Sequence, residues 1–251
     1  MWVWILGIHG VNMPTPQEAL IKLRSDPRDF LRTYYLKCET MGAVNSAQHT
    51  FWFGGTGFVD PNQQTVFDRS PVQGAHRVHQ RKNFLFTPNQ PSLIGNSIQV
   101  PVWHVAVTQM AAPLNMAAVV PLQVSTSMGA DIMVTTVLNG CSFFCDTFQN
   151  TALMAHLMPQ GGNTGDQLEQ DIIGTGLYDS VQGDFQGVNG ALHRGQGTVF
   201  GAHNGYTANA NDVTIVGVRT GTHWRVYAQR HTRLGLRQGT DILTVWKIFH
   251  S

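Results

Sequence analysis

Val213-Thr214-Ile215-Val216-Gly217-Val218-Arg219 and His223-Trp224-Arg225-Val226-Tyr227-Ala228-Gln229 are two β-branched and aromatic runs joined by Thr220-Gly221-Thr222. Such a pair commits the chain to an antiparallel ladder, because a glycine supplies the positive φ that a tight hairpin turn needs. Shorter pieces repeat the theme. Thr50–Phe53, Ile98–Val107, Ala117–Val124, Asp131–Val137, Thr198–His203 and Thr240–Ile248 read as strands. Pro101 and Pro121 argue for edges or bulges in two of them. Gly54-Gly55-Thr56-Gly57 reads as a turn, and residues 60–97 as a long irregular segment over the sheet. His76, Arg77, His79, Arg81 and Lys82 in that segment read as a solvated loop. Charged residues make up 12% of the 251, with 26 glycines. That is about half the ordinary charge fraction, which fits a β-rich chain with many turns.

The first 45 residues have a different pattern. Thr15-Pro16-Gln17-Glu18 offers an N-cap, a first-turn proline and a first-turn acid, so a helix is expected there. Asp26-Pro27 opens a second, expected to run through Leu36, with Phe30, Leu31, Tyr34 and Tyr35 at helical spacing as core. Trp2–Ile8 is apolar but too short to cross a bilayer, so it reads as a buried strand. Helices first and strands after favour an α+β domain, with two packed sheets flanked by helices and long loops. Residues 1–251 read as one domain, to which residues 1–45 are either integral or a helical appendage.

The net charge of +1 gives no footprint for nucleic acid, and no run approaches membrane length. Cys38, Cys141 and Cys145 are too few and odd in number for a disulfide framework, which points to reduced thiols. Cys141 and Cys145 would share a strand face, where Cys145 packs. A metal site would need further ligands, and none is expected. His104, beside Trp103 on a strand, reads as core or as support for a site.

Chemistry concentrates between Val134 and Met158. Two apolar strands, Phe143-Phe144-Cys145 and Ala152–Met158, flank Thr147-Phe148-Gln149-Asn150. If those four residues form the loop, Asp146 pairs with Thr151 and Cys141 falls opposite His156. Opposed residues share a face with Cβ atoms roughly 4.5–5.5 Å apart. A one-residue slip would separate them. An imidazole beside a thiol can take its proton and so make the nucleophile. The imidazole then needs a third group to fix its tautomer. Thr135, or a backbone carbonyl, is placed to supply it. Asn139-Gly140 permits a sharp turn with backbone amides near the sulfur, where an oxyanion would form. The competing interpretation is that a cysteine and a histidine in apolar strands are simply core.

Leu138-Asn139-Gly140-Cys141 resembles the Leu-Ser-Gly-Cys motif of the bacterial toxin deamidases, among them the cytotoxic necrotizing factors and the Burkholderia lethal factor, with the chemotaxis receptor deamidase CheD more distant. In that superfamily the cysteine is followed within a couple of dozen residues by its histidine, and some members place a threonine six positions before the cysteine. Cys141, His156 and Thr135 stand at those places, and Asn139 replaces the motif serine. The resemblance covers about residues 133–158. It implies a mixed β-sandwich and a cofactor-independent hydrolysis of a protein glutamine side chain to glutamate. Transglutamination is possible where an amine replaces water. It also implies Cys141 as nucleophile, His156 as base, Thr135 as its orienter, and a target protein as partner, bound by a monomer. With the reduced thiols, it points to a secreted bacterial effector working in host cytosol.

Two other interpretations stay open. In a cell-wall-type cysteine peptidase or amidase, Gly140-Cys141-Ser142 would open a helix and His193, His203 or His223 would be the base. In a non-catalytic β-sandwich interaction protein, Cys141 would be buried. Pro159–Gly165 is placed to gate a substrate, and Asp166–Ile173 is expected as a short helix.

Overall fold

The computed structural model describes residues 14–39, 45–55, 83–88, 97–109, 122–127, 129–148, 151–159, 198–201, 206–207, 210–232 and 242–251. The strand expected at Trp2–Ile8, the basic loop at 76–82, the loop after Pro159 and the helix at Asp166–Ile173 lie outside them.

Two helices come first. α1 spans Pro16–Ser25 and starts with a full capping box, in which Thr15 and Glu18 each satisfy the other's backbone N–H. α2 spans Pro27–Thr33, with Asp26 as its N-cap. It stops three residues short of the expected Leu36, and Tyr35–Cys38 instead forms β1. Tyr35 and Leu36 are therefore core residues of a strand.

The fold is mostly β, in two packed sheets. The larger sheet runs β1-β3-β2-β4-β7-β11-β12-β13. Its strands are β2 (Ala47–Gly55), β3 (Asn83–Thr87), β4 (Ser97–Val105), β7 (Ile132–Thr135), β11 (Asn211–Thr220), β12 (His223–Thr232) and β13 (Ile242–His250), beside β1. The smaller runs β10-β8-β9-β5, with β6 also paired to β9. Here β5 is Val107–Gln109, β6 Leu122–Ser125, β8 Ser142–Phe148, β9 Thr151–Met158 and β10 Thr198–Phe200. Parallel pairs (β1 with β3, β4 with β7, β5 with β9) make both sheets mixed.

Three expectations change here. Gly54 and Gly55 are the end of β2, paired with Leu85 and Phe84, and do not turn. The segment 60–97 is not wholly irregular: Phe84-Leu85-Phe86 lies in β3, an inner strand buried from Phe84 to Thr87. β4 is an inner strand despite Pro101, because β7 pairs only with Trp103–Val105. Pro101 pairs with Thr50 on the β2 side, and on the β7 side there is no ladder for its missing N–H to break.

The larger sheet is covered on both faces, which is why Ile132-Met133-Val134 reads as an unbroken apolar run. Ile132 and Val134 join α1, α2 and the Phe51, Phe53, Phe84 and Phe86 rings in one core. Met133, Ile215 and Trp224 face the smaller sheet and pack with Phe143, Cys145 and Met154 in a second. Residues 14–39 are integral to this fold, since Ala19, Leu20, Leu23, Phe30 and Leu31 fill the first core and β1 pairs within the sheet.

The hairpin falls where the sequence places it. β11 and β12 pair from Asn211↔Thr232 to Thr220↔His223, and Gly221 takes φ 61° in the turn. Away from that turn the chain passes between the sheets twice: β4 leads into β5 through Ala106, and β7 leads to β8 through residues 136–141.

Candidate functional site

These two crossings bring Thr135 and His156 together. Val105 pairs with Thr135 in the larger sheet, and Val107 pairs with His156 in the smaller. One short segment therefore links both residues' strands. Thr135, at the end of β7, is fully buried, and so is His156 near the end of β9. Thr135 Oγ1 stands 2.7 Å from His156 Nδ1. The same hydroxyl donates to the Val105 carbonyl at 2.7 Å.

These two contacts fix the tautomer. A threonine hydroxyl has one proton, and here Val105 takes it. The Thr135 oxygen must then accept from His156, so Nδ1 carries the hydrogen and Nε2 keeps its lone pair. Thr136 Oγ1, 3.5 Å from Nδ1, lies on the same side. Nε2 is buried and makes no hydrogen bond among the described residues. Burial, with a smaller push from His104, lowers the imidazole pKa to about 3. The ring is therefore neutral at physiological pH, and its unpartnered Nε2 is buried between the sheets.

Cys141 belongs to the same core, together with Phe143 and Met154. It is not directly opposite His156. The β8–β9 register pairs Phe148 with Thr151 and Phe143 with His156. Thr147 and Phe148, a β-branched and an aromatic residue, extend the ladder instead of forming the loop, and residues 149–150 are left between the strands. The displacement is two residues, so the face is kept. Cys141 sits one turn-residue before β8, diagonal to His156. No hydrogen bond joins its thiol to the imidazole, whose Nε2 is unpaired. Its exposure is 9%. Burial raises its thiol pKa, and a hydrogen bond from the Asn139 main chain opposes that rise.

The residues of the turn have separate tasks. Leu138 is fully buried and bridged to Val213 by two main-chain bonds, of 2.8 and 3.0 Å. Asn139 lends its main chain to the thiol. Gly140 takes φ +93°, and a Cβ there would meet nothing within 4 Å, so its requirement is conformational. The Gly140 N–H is not free for an oxyanion, because it donates to the Tyr206 hydroxyl at 2.9 Å. That hydroxyl donates in turn to the Cys141 carbonyl at 2.5 Å. Tyr206 was not foreseen: it lies far along the chain, isolated among turn-forming residues.

Cys145 packs between the sheets, and burial drives its thiol pKa well up. Cys38 is buried in the helix-side core. Among the described residues, no three His, Cys, Asp or Glu are grouped to hold a metal, and no helix is long and apolar enough to cross a membrane. Cys141 precedes a strand, not the helix that a cell-wall hydrolase arrangement requires. His223 stacks on His250 at 5.7 Å and bonds the Ser251 carbonyl at 2.7 Å, while His193 and His203 lie outside the described residues. His104 lies on the helix-facing side of β4, its Nδ1 3.1 Å from the Asn45 carbonyl. Compared with known proteins, the chain matches no family model and no curated sequence.

Proposed function

We propose that this protein is a cysteine-dependent glutamine deamidase acting on a protein substrate. The observation that carries this reading is the His156 tautomer. Thr135 holds the proton on Nδ1 and leaves Nε2 as a base in the core that also contains Cys141.

Both groups rest neutral, since burial raises the thiol and lowers the imidazole. The thiolate therefore forms during attack and is not stored beforehand. Sγ bonds to the carboxamide carbon while Nε2 takes the thiol proton. The tetrahedral oxyanion is held by main-chain amides around the sulfur, with Asn139 the first of these. Collapse breaks the C–N bond, and the imidazolium passes its proton to the departing ammonia. Water, deprotonated by Nε2, then cleaves the thioester and releases glutamate and the free thiol. No cofactor enters any step. The core around Cys141 is apolar, so an amine could replace water in the second half and give transglutamination. The mixed two-sheet sandwich agrees with the architecture that the Leu138–Cys141 resemblance implies. On this reading the protein is a bacterial effector meant for a host cytosol, where its thiols stay reduced.

The test is mass spectrometry of lysate proteins incubated with wild-type or Cys141→Ala protein. Wild type is expected to raise a glutamine-containing peptide by about one dalton, as amide becomes acid, and Cys141→Ala to leave it unchanged. Equal conversion by both would refute the reading.

A further inference from the structure

We propose that Tyr206 is the positioning residue of the nucleophile turn, its hydroxyl holding the Cys141 backbone in the reactive shape. The inference rests on Cys141 being the nucleophile. Leu138 is tied to β11, and Ser142 enters the β8–β9 ladder opposite Leu157. Between these anchors, the Gly140 N–H and the Cys141 carbonyl both turn to one oxygen. Tyr206 Oη accepts from the first at 2.9 Å and donates to the second at 2.5 Å. A phenol can do both at once; a phenylalanine can do neither.

The strut is itself braced. Tyr206 is buried, and its ring stacks on Phe200 with centroids 6.3 Å apart. Phe200 in turn pairs with Phe143, the residue opposite His156. Tyr206 thus connects the nucleophile turn to the wall that carries the base. Removing the hydroxyl leaves two main-chain groups without partners, and the turn must shift to recover them. Any shift there moves Sγ relative to both the Asn139 amide and Nε2. Tyr206 touches no substrate in this account, so it acts only through Cys141.

The experiment follows iodoacetamide alkylation of Cys141 in the whole protein, by peptide mass spectrometry, from neutral to alkaline pH. Tyr206→Phe is expected to slow alkylation roughly tenfold and to move the reactive limb to higher pH, the size of losing two such bonds. Gly140→Ala is expected to slow it similarly, by forcing the turn out of its positive φ without a clash. The double variant should be no slower than the slower single one, since both act on one turn. If Tyr206→Phe does not fold, Gly140→Ala decides alone. Wild-type rate and pH profile in the variants, or effects that multiply, would overturn the inference and leave the deamidase reading standing. A wild-type Cys141 inert to the reagent would sink both.

Discussion

Thr135 has one proton and two neighbours, and its choice between them sets the charge pattern of the site. Thr135→Val keeps the shape and removes the hydroxyl. The Val105 carbonyl and the His156 Nδ1–H then face a methyl group. Stability should drop by about 1–3 kcal/mol, the usual cost of buried partners left unsatisfied. Turnover should fall about a hundredfold with KM little changed, because the lost group orients the base and does not bind substrate. Thr135→Ser should keep most of both; denaturant melts and steady-state rates read the two effects. His156 also makes stability pH-dependent. Folded, it titrates near 3 against a reference value of 6.5 when unfolded. Below 6.5 the unfolded chain binds a proton that the folded site refuses. Its contribution is complete above that pH and is lost as pH falls toward 3. At pH 5 the loss is about 2 kcal/mol. Urea midpoints at pH 7 and pH 5 should therefore differ more in wild type than in His156→Gln; equal differences would contradict the buried neutral imidazole. This pair was legible in the sequence because both partners lie close to Cys141 along the chain. Tyr206 was not, since its partners lie 65 and 66 residues away and nothing local marks it.

At the scale of elements, the β8–β9 hairpin shows how far local reasoning reaches. The apolar runs identified the strands and their common face. The loop length was misjudged by two residues, because Thr147 and Phe148 sit as well in a ladder as in a turn. The capping residues of α1 and α2 located both helix starts, yet Tyr35 and Leu36 extended the second helix on paper only. Their strand is fixed by a distant residue. Gln229 of β12, fully buried, accepts from the Leu36 N–H at 2.9 Å and donates to the Leu31 and Tyr34 carbonyls at 2.6 and 2.7 Å. It closes the end of α2 and opens β1 together. Gln229→Leu leaves three main-chain groups unpaired and should destabilise the protein by about 3 kcal/mol, with a Tm fall of roughly 6–12 °C by calorimetry. A change under one degree would mean that β1 is held by its pairing to β3 alone.

Across the whole molecule, a layer of two helices, an eight-stranded sheet and a smaller sheet stack in order, and the candidate site lies where the chain passes between the sheets. The helix-before-strand order made two short leading helices and a mostly β body with more than one sheet readable. β3 was not readable within its polar surroundings, because an inner strand gains its order from neighbours on both sides. The corner explains how a buried imidazole and a nearly buried thiol come to share one core. It also puts Thr135 and His156 near strand ends, which the ladders hold rigid. The most direct measurement is glutamine-to-glutamate conversion in lysate by wild type against His156→Ala, each checked for folding by circular dichroism. Loss of conversion in the folded variant is the predicted result; conversion that survives without His156 would contradict the account.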